Sequence, residues 1–182
     1  MPNTIYFISG DLRDQQSLLA GLPYGADVHL LDQDMDGLSQ IARVLAGRCE
    51  IDTLHLLSHG SAGSIQLGSM SLTSDNLEHY ASLLRRIGVS MSARGEILLY
   101  GCNIAEGDKG QAFVQSLSSF TNTKIAASST LLELHRLVET GSLMYGVEKL
   151  KARFWRLRIM LECLLALHFC LERWLLAHPT LL

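Results

Sequence analysis

Two residues suited to nucleophilic chemistry each follow a short apolar run. His59 comes directly after Leu54 to Ser58 (LHLLS), and Cys102 directly after Glu96 to Gly101 (EILLYG). A cysteine nucleophile works as the thiolate, and an imidazole beside it supplies or stabilises that form. Each residue adjoins a glycine, Gly60 after His59 and Gly101 before Cys102. Gly60 allows close backbone approach to a substrate, and its N–H together with that of Cys102 could hold an oxyanion. A plainer reading stands beside this one. A cysteine at a strand end is often packing, and a histidine there can serve only to cap a loop.

The elements that must position this pair are legible as an alternation. Thr4 to Ser9, Asp27 to Leu31, Thr53 to Leu57, Glu96 to Tyr100 and Lys124 to Ala127 read as short buried strands. Between them the spacing predicts helices over 14–22, 37–46, 73–87 and 107–120, with Asp36 as the cap of the second. Ser64 to Leu67 and Ser69 to Leu72, flanking Gly68, suggest a small hairpin. Strands apolar throughout and separated by helices indicate a parallel sheet covered on both faces. Right-handed crossovers then bring every strand's C-terminal end to one edge, where ligands gather in such folds. That edge holds Ser9-Gly10-Asp11, Asp32, Ser58-His59-Gly60, Gly101-Cys102-Asn103 and Ser128-Ser129.

Composition narrows the function classes. The 182 residues carry a net charge of −3, which excludes an overall basic nucleic-acid binder. Four scattered cysteines, Cys49, Cys102, Cys163 and Cys170, form no disulfide framework and no Cys-x-x-Cys zinc pair. Asp32, Asp34 and Asp36 alternate as calcium ligands do, but Arg43 stands where such a loop needs Glu, so an acidic turn is expected and neither metal nor cofactor. His29 and His55, inside strands, are expected to be packed and hydrogen-bonded. Met1 to Thr4 lack Lys and Arg, and Ile5 to Ile8 is short for a signal-peptide core, so as written the chain reads as cytoplasmic. The membrane candidate Ile159 to Ala177 contains Glu162, Glu172 and Arg173, which argues against a span.

The chain divides near residue 130. Residues 1–130 hold 8 Lys+Arg against 13 Asp+Glu, and residues 131–182 hold 7 against 5. The second part has no Asp, Asn or Gln, and 16 of its 52 residues are Leu. A turn-rich domain over 1–130 is therefore expected, followed by a Leu/Arg-rich tail over 131–182, helical or disordered. Its apolar residues include Phe154, Trp155, Phe169 and Trp174, while Cys163 and Cys170 read as apolar filler.

The pair of an apolar strand ending in Ser58-His59-Gly60 and another ending in Gly101-Cys102 resembles the caspase-like (clan CD) cysteine peptidases. The stretch 4–129 also resembles the domain of unknown function 4347. That match rests on Leu19 to Pro23, Asp36-Gly37-Leu38, His55 to Gly60, Ile65 to Gly68, Leu98 to Asn103 and Gln111 to Val114. The resemblance implies a three-layer α/β/α domain of flavodoxin-like topology, with strands two, one, three, four and five side by side. It implies His59 and Cys102 as a catalytic dyad, with the Gly60 and Cys102 amides around the oxyanion. It places Asp11 where such peptidases read a substrate side chain, an acidic residue there favouring Arg or Lys; a turn cap is the simpler role. It also implies secreted or cell-surface parent proteins.

After Thr130 the chain departs from that pattern. The tail reads equally as a helical segment or as a frameshifted or truncated reading frame. Three functions stay open: a cysteine peptidase or self-processing module acting on a peptide or its parent chain, a non-catalytic module of a large surface or adhesion protein, and a fragment of one.

Overall fold

The computed structural model describes residues 3–12 and 15–127. The expectations for Asp14, Ser128-Ser129, the membrane candidate and the tail 131–182, including Cys163 and Cys170, lie outside the described residues.

Twelve elements follow one another among these residues. Strand β1 spans Thr4–Ser9, helix α1 Gln15–Gly21, β2 Asp27–Leu31, α2 Gly37–Val44 and β3 Ile51–Leu57. Then come β4 Gly60–Ser61, β5 Ser64–Leu67, β6 Met70–Thr73, α3 Ala81–Ser90, β7 Met91–Tyr100, α4 Gly107–Thr121 and β8 Lys124–Ala127. The main sheet has the order β2-β1-β3-β7-β8, and every pairing in it is parallel. This is the α/β fold and the strand order that the sequence led us to expect. The hairpin exists and is larger than expected. Gly60–Ser61 joins it as a third strand, giving an antiparallel sheet β4-β5-β6.

Period-two alternation divides the main sheet into two faces. Ile5, Phe7, Leu31, Leu54, Leu56, Ile97 and Leu99 lie on one face and join a buried cluster with Leu38, Ile41, Leu84, Ile87, Phe113 and Leu117 of α2, α3 and α4. Helix α3 packs against both α2 and α4. Burying a Leu, Ile or Phe side chain contributes about 1.5–3 kcal/mol, so this cluster is the main source of stability. The β1–α1–β2 crossover runs the opposite way along the sheet, so right-handedness assigns α1 to the other face. There Ile8, His55, Leu57 and Leu98 are buried.

Two boundaries differ from the sequence expectation. The third helix begins at Ala81 rather than Thr73. The Asn76 side chain accepts from Thr73 N at 2.8 Å and donates to Ser71 O at 2.8 Å, which ties this stretch into turns. Strand β7 starts at Met91, directly from α3, five residues earlier than its apolar run suggests. The cap of α2 is as expected: Asp36 Oδ1 accepts from Ser39 N at 2.6 Å.

Candidate functional site

The register between β3 and β7 brings the candidate pair to one place. Leu57 pairs with Tyr100, and Ser58 N donates to Tyr100 O at 2.9 Å. His59 and Cys102 each stand two residues past that pair, in the loops that leave two neighbouring strands, which run about 4.8 Å apart. The loops that carry them meet backbone to backbone. A Cβ on Gly101 would lie 3.1 Å from Ser58 O and 3.2 Å from Gly60 N. A Cβ on Gly60 would lie 2.6 Å from Ile104 Cγ1. Glycine at both positions is therefore a condition of the close approach.

Ile104 and Gln66, not singled out in the sequence, hold this geometry together with Asn103 and Ser58 of the strand-end edge. Ile104 is fully buried beneath Gly60 and Gly101. Its carbonyl accepts from Gly63 N at 3.0 Å, linking the loop after β7 to the β4–β5 turn. Asn103 takes a left-handed φ of 56°, which Asn tolerates better than most residues, and so turns the chain after Cys102. From the other side, Gln66 N donates to His59 O at 2.9 Å, and buried Ser58 donates its hydroxyl to Gln66 O. A sequence signal for these contacts existed only as the apolar Ile104 in an otherwise polar loop and as Gln66 within the alternation of β5.

Strand β1 contributes Asp11. Ile8 pairs with Leu57, so the turn after β1 lies beside the Ser58-His59-Gly60 loop. Asp11 Oδ2 stands 4.0 Å from His59 Nε2, with the Asp11 side chain 35% and the His59 side chain 50% exposed. The Asp11 turn is itself held. Gly10 N donates to Leu31 O at 2.9 Å, and Gln15 Nε2 donates to Gly10 O at 2.5 Å. A Cβ on Gly10 would lie 2.6 Å from Leu31 O, so the turn closes only with glycine there.

The fold therefore lines up Asp11, His59, Gly60 and half-buried Cys102 along the C-terminal edge of β1, β3 and β7. Cys49 precedes β3 at the opposite edge and is exposed. Asp32 and Asp34 form a local turn, with Asp34 N donating to Asp32 Oδ1 at 2.9 Å. Among the described residues no group of three His, Cys, Asp or Glu is arranged to hold a metal ion. No helix among them is long and apolar enough to cross a membrane.

The strand histidines are occupied elsewhere. His29 Nε2 lies 2.9 Å from Asp27 Oδ1. Burial by itself would raise the Asp27 carboxyl, but neighbouring Arg48 and His29 hold it below its ordinary value. His55 Nδ1 lies 2.9 Å from the Tyr100 hydroxyl, and its ring stacks on Tyr6 with centroids 4.3 Å apart. Burial lowers His55 to about 4 and raises Tyr100 well above its usual value, so neither is a proton carrier near neutrality.

No curated protein matches the chain. Among solved structures it is similar to one described as "Crystal structure of a small-chain dehydrogenase", with 12% identity, a TM-score of 0.37, and coverage of 69% of this chain and 81% of that one. A family model described as "Domain of unknown function (DUF4347)" matches residues 5–147, past the composition break near residue 130. The chain belongs to that family.

Proposed function

We propose that this domain is a cysteine-dependent acyl-transfer enzyme, a peptidase or self-processing module, with Cys102 as nucleophile and His59 as its base. One observation carries the reading: His59 and Cys102 each follow the Leu57/Tyr100 pair by two residues, at the C-terminal ends of adjacent parallel strands, the edge where such sheets do chemistry. The glycines at 60 and 101 support it, because they clear side chains from the space between the two loops.

The chemistry follows from these groups. His59 accepts the Cys102 thiol proton, and the sulfur attacks a peptide carbonyl carbon to form a C–S bond. The carbonyl oxygen becomes an oxyanion facing the Gly60 and Cys102 amides. The intermediate collapses, the C–N bond breaks, and His59 returns the proton to the departing amine. Water then gives a proton to His59 and attacks the thioester; the C–S bond breaks and the thiol is regenerated.

The test is covalent capture. A set of peptidyl acyloxymethyl ketones incubated with the full chain gives a single adduct on Cys102, found by peptide mapping. The adduct disappears in His59→Ala, where the sulfur lacks its base. Modification of Cys49 at the same rate as Cys102, unaffected by His59→Ala, would refute the reading.

A further inference from the structure

We infer that Asp11 is a positioning residue for His59, a third member of the site rather than a reader of substrate side chains. The inference rests on the cysteine-dependent reading above. It begins from the distance of 4.0 Å between Asp11 Oδ2 and His59 Nε2. Aspartate has the shortest acidic side chain, so the backbone, and not a long flexible stem, sets this separation. That backbone is fixed by three features: the Gly10 N–H on Leu31 O, the Gln15 amide on Gly10 O, and the absence of any room for a Cβ at Gly10. On the other side, the His59 carbonyl is fixed by Gln66 N. Two independently anchored turns thus present a carboxylate to an imidazole.

At 4.0 Å the carboxylate faces Nε2 as a charge and not through a formed hydrogen bond; closing that gap engages Nε2 and leaves Nδ1 for proton exchange with the thiol and the leaving amine. The carboxylate also stabilises the imidazolium that forms when His59 takes the Cys102 proton. A positioning residue acts on the ring whether or not a peptide is bound, whereas a reader of substrate acts only on peptides that carry a positive side chain. A substrate-reading role and a positioning role therefore predict different behaviour.

The experiment follows alkylation of the full chain by iodoacetamide from about pH 6 to about pH 9, resolved by site in a mass spectrometer. Exposed Cys49, at the far edge of the sheet, is the internal reference. At the acidic end, the Cys102 rate relative to Cys49 falls about tenfold or more in Asp11→Asn, the loss expected when a charge partner is removed. Asp11→Glu, which keeps the charge, restores most of the rate, and all variants converge at the alkaline end, where the thiol ionises unaided. Superimposable profiles for wild type and Asp11→Asn, with His59→Ala still slow, would overturn the role of Asp11 and leave the dyad standing. An unchanged alkylation profile, with a preference for Arg or Lys lost when the Asp11→Asn chain is given a peptide pool, would overturn it in favour of substrate reading. A wild-type Cys102 that reacts no faster than Cys49, and does not respond to His59→Ala, would bring down both the dyad and the inference built on it.

Discussion

His55 Nδ1 lies 2.9 Å from the Tyr100 hydroxyl, on the face of the sheet away from α2, α3 and α4. Tyr6 stacks on the same imidazole, and His55 is only 5% exposed. Burial lowers its pKa from 6.5 to about 4. The unfolded chain therefore binds a proton that the folded chain refuses between those values. Stability is intact above about pH 6.5, falls as the pH drops toward 4, and loses about 3 kcal/mol over that window. Urea denaturation at a series of pH values should show this limb. His55→Phe should flatten it while costing about 1–3 kcal/mol at neutral pH for the orphaned Tyr100 hydroxyl.

Gly88 of α3 lies against the end of α4. A Cβ there would stand 1.8 Å from the Thr121 carbonyl oxygen, a backbone atom that cannot swing aside. Gly88→Ala should destabilise the fold by about 1–3 kcal/mol or more through overpacking, visible as a lower denaturant midpoint. The proposed site residues are untouched by that change, so any loss of the proposed activity should track the fraction unfolded.

Gly101→Ala should behave in the opposite way. Its Cβ would meet Ile104 Cδ1 at 2.9 Å, the movable end of a side chain, and Gly60 N at 3.2 Å. The cost in stability is small, but the His59 and Cys102 loops are pushed apart. A misplacement of about 1 Å costs about a hundredfold in rate, so the shift of a few tenths of an ångström that these contacts demand should lower turnover by less than that, roughly a few-fold. Thermal unfolding and peptide turnover measured on the same preparation separate the two effects.

Asp36 caps α2 through Ser39 N at 2.6 Å. Asp36→Ala should cost about 1 kcal/mol in stability. Because α2 carries core residues and none of the candidate site, Cys102 reactivity at fixed folded fraction should not change.

The sheet was legible in the sequence because its central strands β1, β3 and β7 are largely buried where they pair and read as apolar runs, such as LHLL and EILLY. Their order came from resemblance and not from composition, since apolar content does not say which strands are neighbours. The stretch from Thr73 to Tyr80 misled because Leu77 and Tyr80 fall at helical spacing, while Asn76 binds the backbone that a helix would need. Strand β4 was missed because two residues, Gly60 and Ser61, carry no pattern. His59, Gly60 and Cys102 were readable as strand-end residues flanked by glycine. The approach of Asp11 to His59 was not readable, because it depends on a turn geometry set by Gly10 and Gln15. The Ile104 seat depends likewise on the three-dimensional meeting of two loops.

The most direct measurement of the central claim is hydrolysis of a peptide pool bearing Arg, Lys, Asp or Leu before the scissile bond, by the full chain and by Cys102→Ala and His59→Ala. The dyad predicts cleavage by the wild type and a loss of several orders of magnitude in each variant, with the double variant no worse than the singles, because the two residues act as one unit. Cleavage that survives in both single variants, or no cleavage of any peptide in the pool by a folded wild-type chain, would contradict it.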